Sequence, residues 1–277
     1  MLTDMKSILL DAQKNKYGVA AADVWSENSI KAVIEAAENE KSPAIIAICP
    51  AIADVLEVGK IAAALADKSK IPLAVHLDHG TTFEQAVQSV KAGLTSVMVD
   101  RSTLSFEDNV REVKEIVKLA HAVGITVEAE LGHVGQGYEY EQTKNTALTD
   151  PKQAVEFVKE TGVDCLAVAV GTSHGVYKGK PEIHFDLLRT LRKVVDVPLV
   201  LHGCSGTGDE NLKKAIECGI TKLNLYTDLD AAGMEMFKNY SKDHNNLKIF
   251  DVSKVIFKGY AEKLQYYMRL FGSSNRA

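Results

Sequence analysis

Short apolar runs alternate with longer amphipathic segments along most of the chain, after an opening helix predicted over Met5–Lys14. Each run is near-continuously apolar and four to six residues long, which is typical of a strand buried on both faces of a parallel sheet. The predicted strands are Tyr17–Ala22, Ala44–Cys49, Leu73–Leu77, Ser96–Val99, Thr126–Leu131, Cys165–Val170, Pro198–Leu201 and Lys222–Leu225. The predicted helices between and after them are Asn28–Glu38, Ile52–Ala66, Phe83–Lys91, Glu107–His121, Pro151–Thr161, Phe185–Val195, Asp209–Glu217 and Thr227–Asn239.

Eight strand–helix units in one chain predict an α/β fold of the (β/α)8 TIM-barrel type. We expect a single domain over residues 1–277, with a C-terminal helical extension formed by Asp251–Leu270. A doubly wound open sheet is the main alternative, because apolar periodicity cannot show whether a sheet closes. Two connections, Gly132–Thr149 and Gly171–His184, are longer than the chain path requires. Both follow predicted strands, so in a barrel both lie at the face where active sites form.

The composition narrows the range of partners. Contents of 46% hydrophobic and 25% charged residues are ordinary for a soluble globular enzyme. A net charge of −5 without a Lys/Arg cluster argues against nucleic acid or an acidic membrane surface as a partner. No apolar run approaches the length of a membrane span, and the first residues lack the features of a signal peptide. The four cysteines stand singly, as reduced thiols do, so we expect a cytoplasmic protein.

Three histidines fall at or just after the ends of predicted strands three, six and seven: His79, His174 and His202. In a barrel these imidazoles can converge over one mouth, and three histidine ligands with an open fourth position are typical of catalytic zinc. Any one of them alone is better explained by a structural role. Asp78 adjoins His79, and a carboxylate there can transfer protons, although helix or turn capping is the simpler alternative.

Two further carboxylates, Asp100 and Glu130, lie at the ends of predicted strands four and five. Carboxylates there could orient the histidines, hold a second cation or shuttle protons. The alternatives are a helix-side cap for Asp100 and a solvated loop start for Glu130.

Two turns after predicted strands seven and eight predict a phosphate site, because barrels commonly bind phosphate there through backbone N–H groups. They are Leu201-His202-Gly203-Cys204-Ser205-Gly206 and Lys222-Leu223-Asn224-Leu225-Tyr226-Thr227-Asp228. Gly203 allows close backbone approach, while Ser205 and Thr227 add hydroxyl donors. Glycine also occurs in turns for conformation alone, so the prediction depends on the pair of turns.

One motif points to a different enzyme class. Gly171-Thr172-Ser173-His174-Gly175 fits the G-x-S-x-G pattern of serine hydrolases, which needs a strand, a sharp turn and then immediately a helix. The next residues, Val176 to Pro181, are not typical of a helix start. A serine hydrolase is therefore disfavoured.

As an ordered set, these segments resemble the class II, zinc-dependent ketose-bisphosphate aldolases, which include fructose- and tagatose-bisphosphate aldolases. The resemblance runs from the opening helix to Leu270–Ser274, and it rests on His76–Gly80, Ser96–Asp100, Glu128–Gly132, Gly171–Gly179 and the two turns. It implies a homodimeric or homotetrameric barrel enzyme of carbohydrate metabolism, as in glycolysis. The implied reaction is the reversible cleavage of fructose 1,6-bisphosphate, tagatose 1,6-bisphosphate or a similar ketose phosphate to dihydroxyacetone phosphate and an aldehyde.

By that resemblance, one Zn²⁺ is bound by His79, His174 and His202, and Asp78 exchanges a proton at the bond being cut. Asp100 and Glu130 match carboxylates that can hold a second cation, divalent or monovalent, in some members. Glu139 is the best candidate for the acid/base that acts on the enediolate carbon. The substrate-binding residues so implied are Gly175, Lys178, Gly203, Cys204, Ser205, Asn224, Leu225, Tyr226 and Thr227.

The departures from the family pattern cluster on the side expected to meet the aldehyde. Asp23 stands where asparagine is usual, Cys49 where serine is common, and Arg101 in place of a small residue. These departures raise the hypothesis of an active aldolase whose aldehyde partner differs from glyceraldehyde 3-phosphate, beside the expected fructose or tagatose 1,6-bisphosphate. The alternatives are the same chemistry on another ketose 1-phosphate, a phosphosugar epimerase or lyase, and a non-catalytic barrel that binds phosphosugars.

Overall fold

The computed structural model describes every residue, Met1–Ala277, and its centre is a closed barrel of eight parallel strands in sequence order. The strands are β1 (Val19–Asp23), β2 (Ala44–Ile48), β3 (Leu73–Gly80), β4 (Ser96–Val99), β5 (Thr126–Leu131), β6 (Cys165–Val168), β7 (Leu199–Leu201) and β8 (Ile220–Leu225). The pairing of β1 with β8, in which Ala22 lies opposite Leu225, closes the barrel. The predicted TIM barrel is confirmed, and the open-sheet alternative is wrong.

Helices surround the barrel. They are α1 (Met5–Asn15), α2 (Glu27–Glu40), α3 (Val55–Ala66), α4 (Phe83–Ala92), α5 (Phe106–His121), α6 (Tyr140–Thr143), α7 (Pro151–Thr161), α8 (Phe185–Val194), α9 (Asp209–Glu217), α10 (Thr227–Lys242) and α11 (Ile249–Phe271). Every predicted strand and helix is present, and no boundary differs by more than three residues. The difference that bears on the site is in β3, which continues through Asp78 and His79 to Gly80 instead of ending at Leu77.

The barrel interior is apolar at its amino-terminal end and polar at its carboxyl-terminal end. Inward-facing residues recur at every second position of a strand. At the amino-terminal end they pack with α1 into one apolar cluster: Met5, Ile8, Leu9, Ala12, Tyr17, Val19, Ala21, Ile45, Ala74, Cys165, Ala167 and Val200. On β1 and β3 the same inward series continues to Asp23 and Asp78 at the opposite end. Helix α1 therefore closes the apolar end of the barrel, and polar side chains line the other end.

The C-terminal extension is α11, which packs against α2, α10 and β1. Tyr260, buried on α11, donates a hydrogen bond of 2.7 Å to the main-chain carbonyl of Asp23. This contact fixes the end of β1 where it reaches the barrel mouth. No helix combines the length and the apolar composition that a membrane span requires.

The two long loops lie beside each other at the barrel mouth. The Gly137 N–H donates to the His174 carbonyl at 2.7 Å, and the His174 N–H donates to the Gly135 carbonyl at 2.8 Å. The first loop also contains a 3₁₀ helix, Gly137–Glu139, followed by α6, where the sequence pattern predicts no regular element. The paired loops form one wall over the strand ends.

Candidate active site

A cavity of about 410 Å³ opens at the carboxyl-terminal end of the barrel. Most of the site residues expected from the sequence line it: Asp78, His79, Asp100, His174, Gly175, Gly203, Cys204, Ser205, Asn224, Leu225, Tyr226 and Thr227. His202 and Glu130 are buried behind this lining. Glu139 and Lys178 are exposed and lie outside it.

The three predicted histidine ligands converge. The ring of His79 lies 4.8 Å from that of His174 and 4.5 Å from that of His202, measured between ring centroids. His79 Nε2 and His202 Nδ1 are 2.7 Å apart, and one nitrogen from each of the three rings belongs to a group whose atoms all lie within 4.8 Å of one another. The buried Nε2 of His174 has no hydrogen-bond partner. These three nitrogens suit a shared zinc ion, which takes imidazole ligands.

His79 is aimed into the cavity by an unusual backbone. Its φ is 48°, in the left-handed region that residues other than glycine rarely adopt. The pairing of β3 with β4 shifts register between Leu77 and Gly80, which is where this residue lies. The resulting bend breaks the strand alternation, so that Asp78 and His79, although adjacent in sequence, both line the cavity.

The protonation of the histidines differs from ring to ring. Burial, with His79 and His202 nearby, lowers the pKa of His174 to about 4, so this ring is a neutral potential ligand. Burial also opposes charge on His79, but the carboxylates of Asp78 and Asp100 outweigh it and raise the pKa of His79 to about 10. The site around His79 therefore attracts a cation.

Asp78 is buried beside these histidines and ionised. Its Oδ1 accepts a hydrogen bond of 2.9 Å from Asn224 Nδ2. Burial works against the charge, yet His79 and Lys222 hold the pKa of Asp78 well below its usual range. A carboxylate that is ionised and held in place at a cavity wall can accept a proton from a bound substrate.

Asp100 and Glu130 flank His79. Asp100 Oδ2 is 3.3 Å from His79 Nδ1, while its Oδ1 accepts the Ser102 N–H at 2.8 Å. Glu130 Oε1 accepts the Val134 N–H at 2.9 Å, and its buried Oε2 has no partner. The interpretation of Glu130 as a solvated loop start is wrong, because the residue is buried. His79, Asp100 and Glu130 together form a second group with the spacing of metal ligands.

The two predicted phosphate turns lie side by side. Gly203 has φ of 66° and its Cα lies against the Ser173 backbone, so a side chain would not fit there. Ser205 Oγ accepts the Asp228 N–H at 3.1 Å, which ties the turn after β7 to the first turn of α10. Helix α10 begins at Thr227, which lines the cavity, and the N-terminus of a helix is a favourable setting for an anion.

The G-x-S-x-G segment does not form a nucleophile elbow. Ser173 is buried, and its N–H donates to the Tyr177 hydroxyl at 2.8 Å. The next helix, α8, begins only at Phe185. The helix that must directly follow a hydrolase serine is therefore absent.

Sequence reasoning left several cavity residues without a role. Asp23 and Cys49, which depart from the family pattern, both line the cavity, as does His133, whose Nδ1 is 2.8 Å from Ser102 Oγ. Gln136, on the first long loop, lines the cavity, whereas Glu139 on the same loop does not. The residues that follow directly on strands could have been expected, whereas Gln136 depends on how the loop folds.

The chain is a closed (β/α)8 barrel, and its histidines converge at the carboxyl ends of the strands. These features are typical of barrel enzymes that bind a metal ion at the mouth. The chain belongs to the class-II fructose-bisphosphate aldolase family, whose model matches residues 3–276. It is therefore a class II aldolase, a carbon–carbon lyase. The family is generally zinc-dependent, which agrees with the three-histidine group.

Individual relatives cover the whole chain. It is 39% identical to a fructose-bisphosphate aldolase of Thermus caldophilus over 100% of both chains. It is 38% identical to the uncharacterized protein YdjI of Escherichia coli K12, again over 100% of both. The crystal structure of the YdjI aldolase superimposes with a TM-score of 0.89 at 36% identity, covering 100% of each chain. A putative fructose-1,6-bisphosphate aldolase of Coccidioides immitis gives 0.88 at 28% identity, covering 98% of this chain and 97% of that one.

Proposed function

We propose that this chain catalyses the zinc-dependent, reversible aldol cleavage of a ketose phosphate to dihydroxyacetone phosphate and an aldehyde. The observation that carries the proposal is the convergence of His79, His174 and His202 beside Asp78 in one cavity. Aldol cleavage develops negative charge on the oxygen of the departing enediolate and requires proton transfer at the bond being cut. His79, His174 and His202 would hold a Zn²⁺ ion, which would supply Lewis-acid stabilisation of that charge.

Asp78 is the proposed proton-transfer group. In the cleavage direction its carboxylate removes the proton of the substrate hydroxyl, and in the condensation direction it returns that proton to the aldehyde oxygen. Asn224 holds one carboxylate oxygen at 2.9 Å, which leaves the other free to face the substrate. The low pKa of Asp78 keeps the group in the basic form before cleavage.

The turns after β7 and β8 are the proposed binding site for the phosphate of dihydroxyacetone phosphate. Gly203, Cys204 and Ser205 line the cavity from one turn, and Asn224 to Thr227 line it from the other. Gly175, with φ of 78°, adds backbone from the neighbouring loop. No lysine or arginine lines the cavity, so backbone dipoles and hydroxyls would carry phosphate recognition.

Asp100 and Glu130 are the proposed ligands of a second cation near His79. Their carboxylate oxygens share one group with the His79 nitrogen, and the unpartnered Oε2 of Glu130 is available to an ion. Carboxylate oxygens suit hard divalent or monovalent cations.

The proposed substrate is of the fructose 1,6-bisphosphate or tagatose 1,6-bisphosphate type. A different ketose 1-phosphate is the second candidate, and the presence of Asp23 and Cys49 in the cavity lining favours it. Burial and the neighbouring Asp78 raise the pKa of Asp23 well above its usual range, so this residue offers the substrate a different hydrogen-bonding group from the asparagine usual in the family.

The decisive experiment is a coupled assay for dihydroxyacetone phosphate over a panel of ketose 1-phosphates and 1,6-bisphosphates, with and without a chelator. We expect release to stop on chelation and to return on addition of Zn²⁺. Replacement of a predicted zinc ligand, His174→Ala, should also abolish release, and His244→Ala is its matched control, because His244 is exposed and lies outside the cavity. Release that survives complete removal of zinc would refute the mechanism, and equal turnover of every ketose would refute altered aldehyde selectivity.

A further inference from the structure

A buried ion pair lies in the barrel interior beneath the cavity. Lys222 on β8 and Glu128 on β5 are both 0% exposed, and Lys222 Nζ lies 2.9 Å from Glu128 Oε2 and 3.1 Å from Oε1. Removing two charges from water is costly, and well-packed apolar residues in place of such a pair are often equally stable or more stable. The pair is therefore poorly explained by stability alone.

Glu128 connects this pair to the candidate metal site. Its Oε1 lies 2.9 Å from Nε2 of His202, while Nδ1 of the same ring faces His79 Nε2 at 2.7 Å. An ionised carboxylate only accepts hydrogen bonds, so Nε2 of His202 must carry the proton. The lone pair of a neutral His202 is then on Nδ1, directed at the cavity.

The same pair reaches the proposed proton-transfer group. Lys222 Nζ is 3.8 Å from Asp78 Oδ1, the oxygen that Asn224 holds at 2.9 Å. Lys222 and Asn224 are two residues apart on β8, so both point into the barrel. One strand therefore places an ammonium group and an amide against Asp78.

His76, another buried titratable side chain of this layer, adds no positive charge. Its Nδ1 is paired with Ser96 Oγ at 2.9 Å, and burial followed by the charge of Lys222 lowers the pKa of His76 to about 3. His76, Asp78 and Glu128 have the spacing of metal ligands, but Lys222 already supplies a positive charge beside both carboxylates. Lys222 is thus the cation of the layer beneath the cavity.

We propose that the Lys222–Glu128 pair positions the site: it fixes His202 in the tautomer that presents Nδ1 to the metal ion and holds Asp78 in place. Glu128 and Lys222 are positioning residues, because they act through His202 and Asp78. The inference rests on the proposed function in taking zinc as the ion. Carboxylate partners of metal-bound histidines typically change metal affinity or activity by about 10- to 100-fold when they are lost.

The test compares two double variants of the zinc-loaded full-length protein. Glu128→Leu/Lys222→Met removes both charges and the acceptor, whereas Glu128→Gln/Lys222→Met removes the charges but keeps an acceptor oxygen for His202. Neither leaves Glu128 or Lys222 as an unpaired buried charge, and Asp78 keeps the neighbouring His79, so both are expected to fold. Thr221→Val is the matched control, since Thr221 is buried on the same strand and bonds instead to the Leu199 carbonyl at 3.0 Å.

Zinc affinity is measured by competition with a chromophoric chelator, and the His202 tautomer by ¹⁵N NMR of the imidazole nitrogens. We expect zinc affinity about 10- to 100-fold weaker in the leucine variant, a smaller loss in the glutamine variant and none in Thr221→Val. Wild-type His202 should carry its proton on Nε2. A leucine variant that binds zinc as tightly as wild type, or a wild-type His202 protonated on Nδ1, would overturn the proposal.

The two proposals fail separately. Wild-type protein that binds zinc with His202 protonated on Nε2, yet releases no dihydroxyacetone phosphate, would refute the proposed function and support the positioning role. If the Lys222–Glu128 pair holds Asp78 in place, the leucine variant at saturating zinc should have a lower kcat with little change in KM. Unchanged kcat in that variant would overturn the part of the proposal that concerns Asp78.

Discussion

Asp78 adjoins His79, a candidate metal ligand, and accepts a hydrogen bond from the Asn224 amide. Replacing Asp78 therefore tests whether it transfers a proton or helps to bind the metal ion. Asp78→Ala is expected to retain zinc, because His79, His174 and His202 all remain. The cleavage rate should fall by roughly 100- to 10,000-fold, the usual contribution of general acid–base catalysis. Dihydroxyacetone phosphate release and zinc content are measured on the same sample.

Asp186→Ala controls for the loss of one carboxylate, since the Asp186 side chain is fully exposed outside the cavity. It should leave both the rate and the zinc content unchanged. Loss of zinc from Asp78→Ala would mean that Asp78 holds the ion and is not simply a proton carrier.

Among single residues, those at or soon after strand ends were predictable, whereas the place of Glu139 on its loop and of Glu128 in the interior was not. His79, His202 and Asp78 follow apolar runs, and the parallel arrangement brings such positions together without further information. Glu139 lies outside the cavity because the backbone pairing of Gly137 with His174 sets the path of its loop. Glu128 did give a signal, a charged residue inside a predicted strand, but its role required knowing that β5 faces β8 across a closed barrel.

Between elements, the Tyr177 hydroxyl ties the loop after β6 to the turn after β7. It accepts the Ser173 N–H and donates to the Gly203 carbonyl, both at 2.8 Å. Tyr177→Phe leaves both backbone groups without this partner, at a cost of about 1–3 kcal/mol in the free energy of unfolding. We expect KM for the phosphorylated substrate to rise more than kcat falls, because Gly203 belongs to the proposed phosphate turn.

Chemical denaturation and steady-state kinetics on Tyr177→Phe test this coupling. Tyr138→Phe is the control, since the exposed Tyr138 lies outside the cavity. A Tyr177→Phe protein with wild-type KM would show that the turn keeps its conformation without the hydroxyl.

At the opposite end of the barrel, Asp164 joins α1, α5 and β5. It accepts hydrogen bonds from Lys6 Nζ at 2.9 Å and from His121 Nε2 and the Val127 N–H at 2.8 Å. Burial opposes ionisation, but these bonds hold the pKa of Asp164 below its usual value of 3.8. The folded pKa is thus the lower one, so the stabilisation is present above pH 3.8 and is lost as the pH falls toward the folded value.

Asp164→Asn is therefore expected to lower the free energy of unfolding by about 1–3 kcal/mol at neutral pH, with the difference from wild type shrinking in acid. Urea denaturation at several pH values measures it. A difference that stays constant from pH 7 down to acid would exclude the charge of Asp164 as its source. Activity at neutral pH should be unaffected, because Asp164 is remote from the cavity.

The strands and helices of the barrel were predictable to within three residues, because most strands are apolar runs and each helix is amphipathic. The extension of β3 was not predictable, since its last residues are polar and join the strand only through the pairing of Gly80 with Val99 on β4. The short helices inside the first long loop were not predicted for the same reason. Their stability comes from contacts with another loop, and not from a local sequence pattern.

For the whole molecule, zinc should act as a stabilising ligand. An ion that binds only the folded state adds about 4 kcal/mol to the free energy of unfolding when its concentration is about 1,000 times the dissociation constant. We expect chelation to lower the midpoint of thermal unfolding, as measured by calorimetry. His174→Ala should lose this increment, and an equal response to chelator in that variant would place the ion elsewhere.

We also expect the chain to assemble into a homodimer or homotetramer. Ile249 and Phe250, at the start of α11, are 90% and 67% exposed, which is unusual for large apolar side chains. Light scattering should give a mass of two or four times 30.1 kDa. The mass of a single chain would contradict the prediction, and Phe250→Ser tests whether this surface contributes.

The left-handed backbone conformation of His79 also affects which residues selection should favour at position 79. Holding a non-glycine residue at a φ of 48° costs on the order of 1–3 kcal/mol, and the rest of the barrel supplies that energy. A library selected for thermal stability alone should therefore enrich glycine or asparagine at position 79, since both residues relieve the strain. A library selected for activity should keep histidine there and gain its stability at sites remote from the barrel mouth.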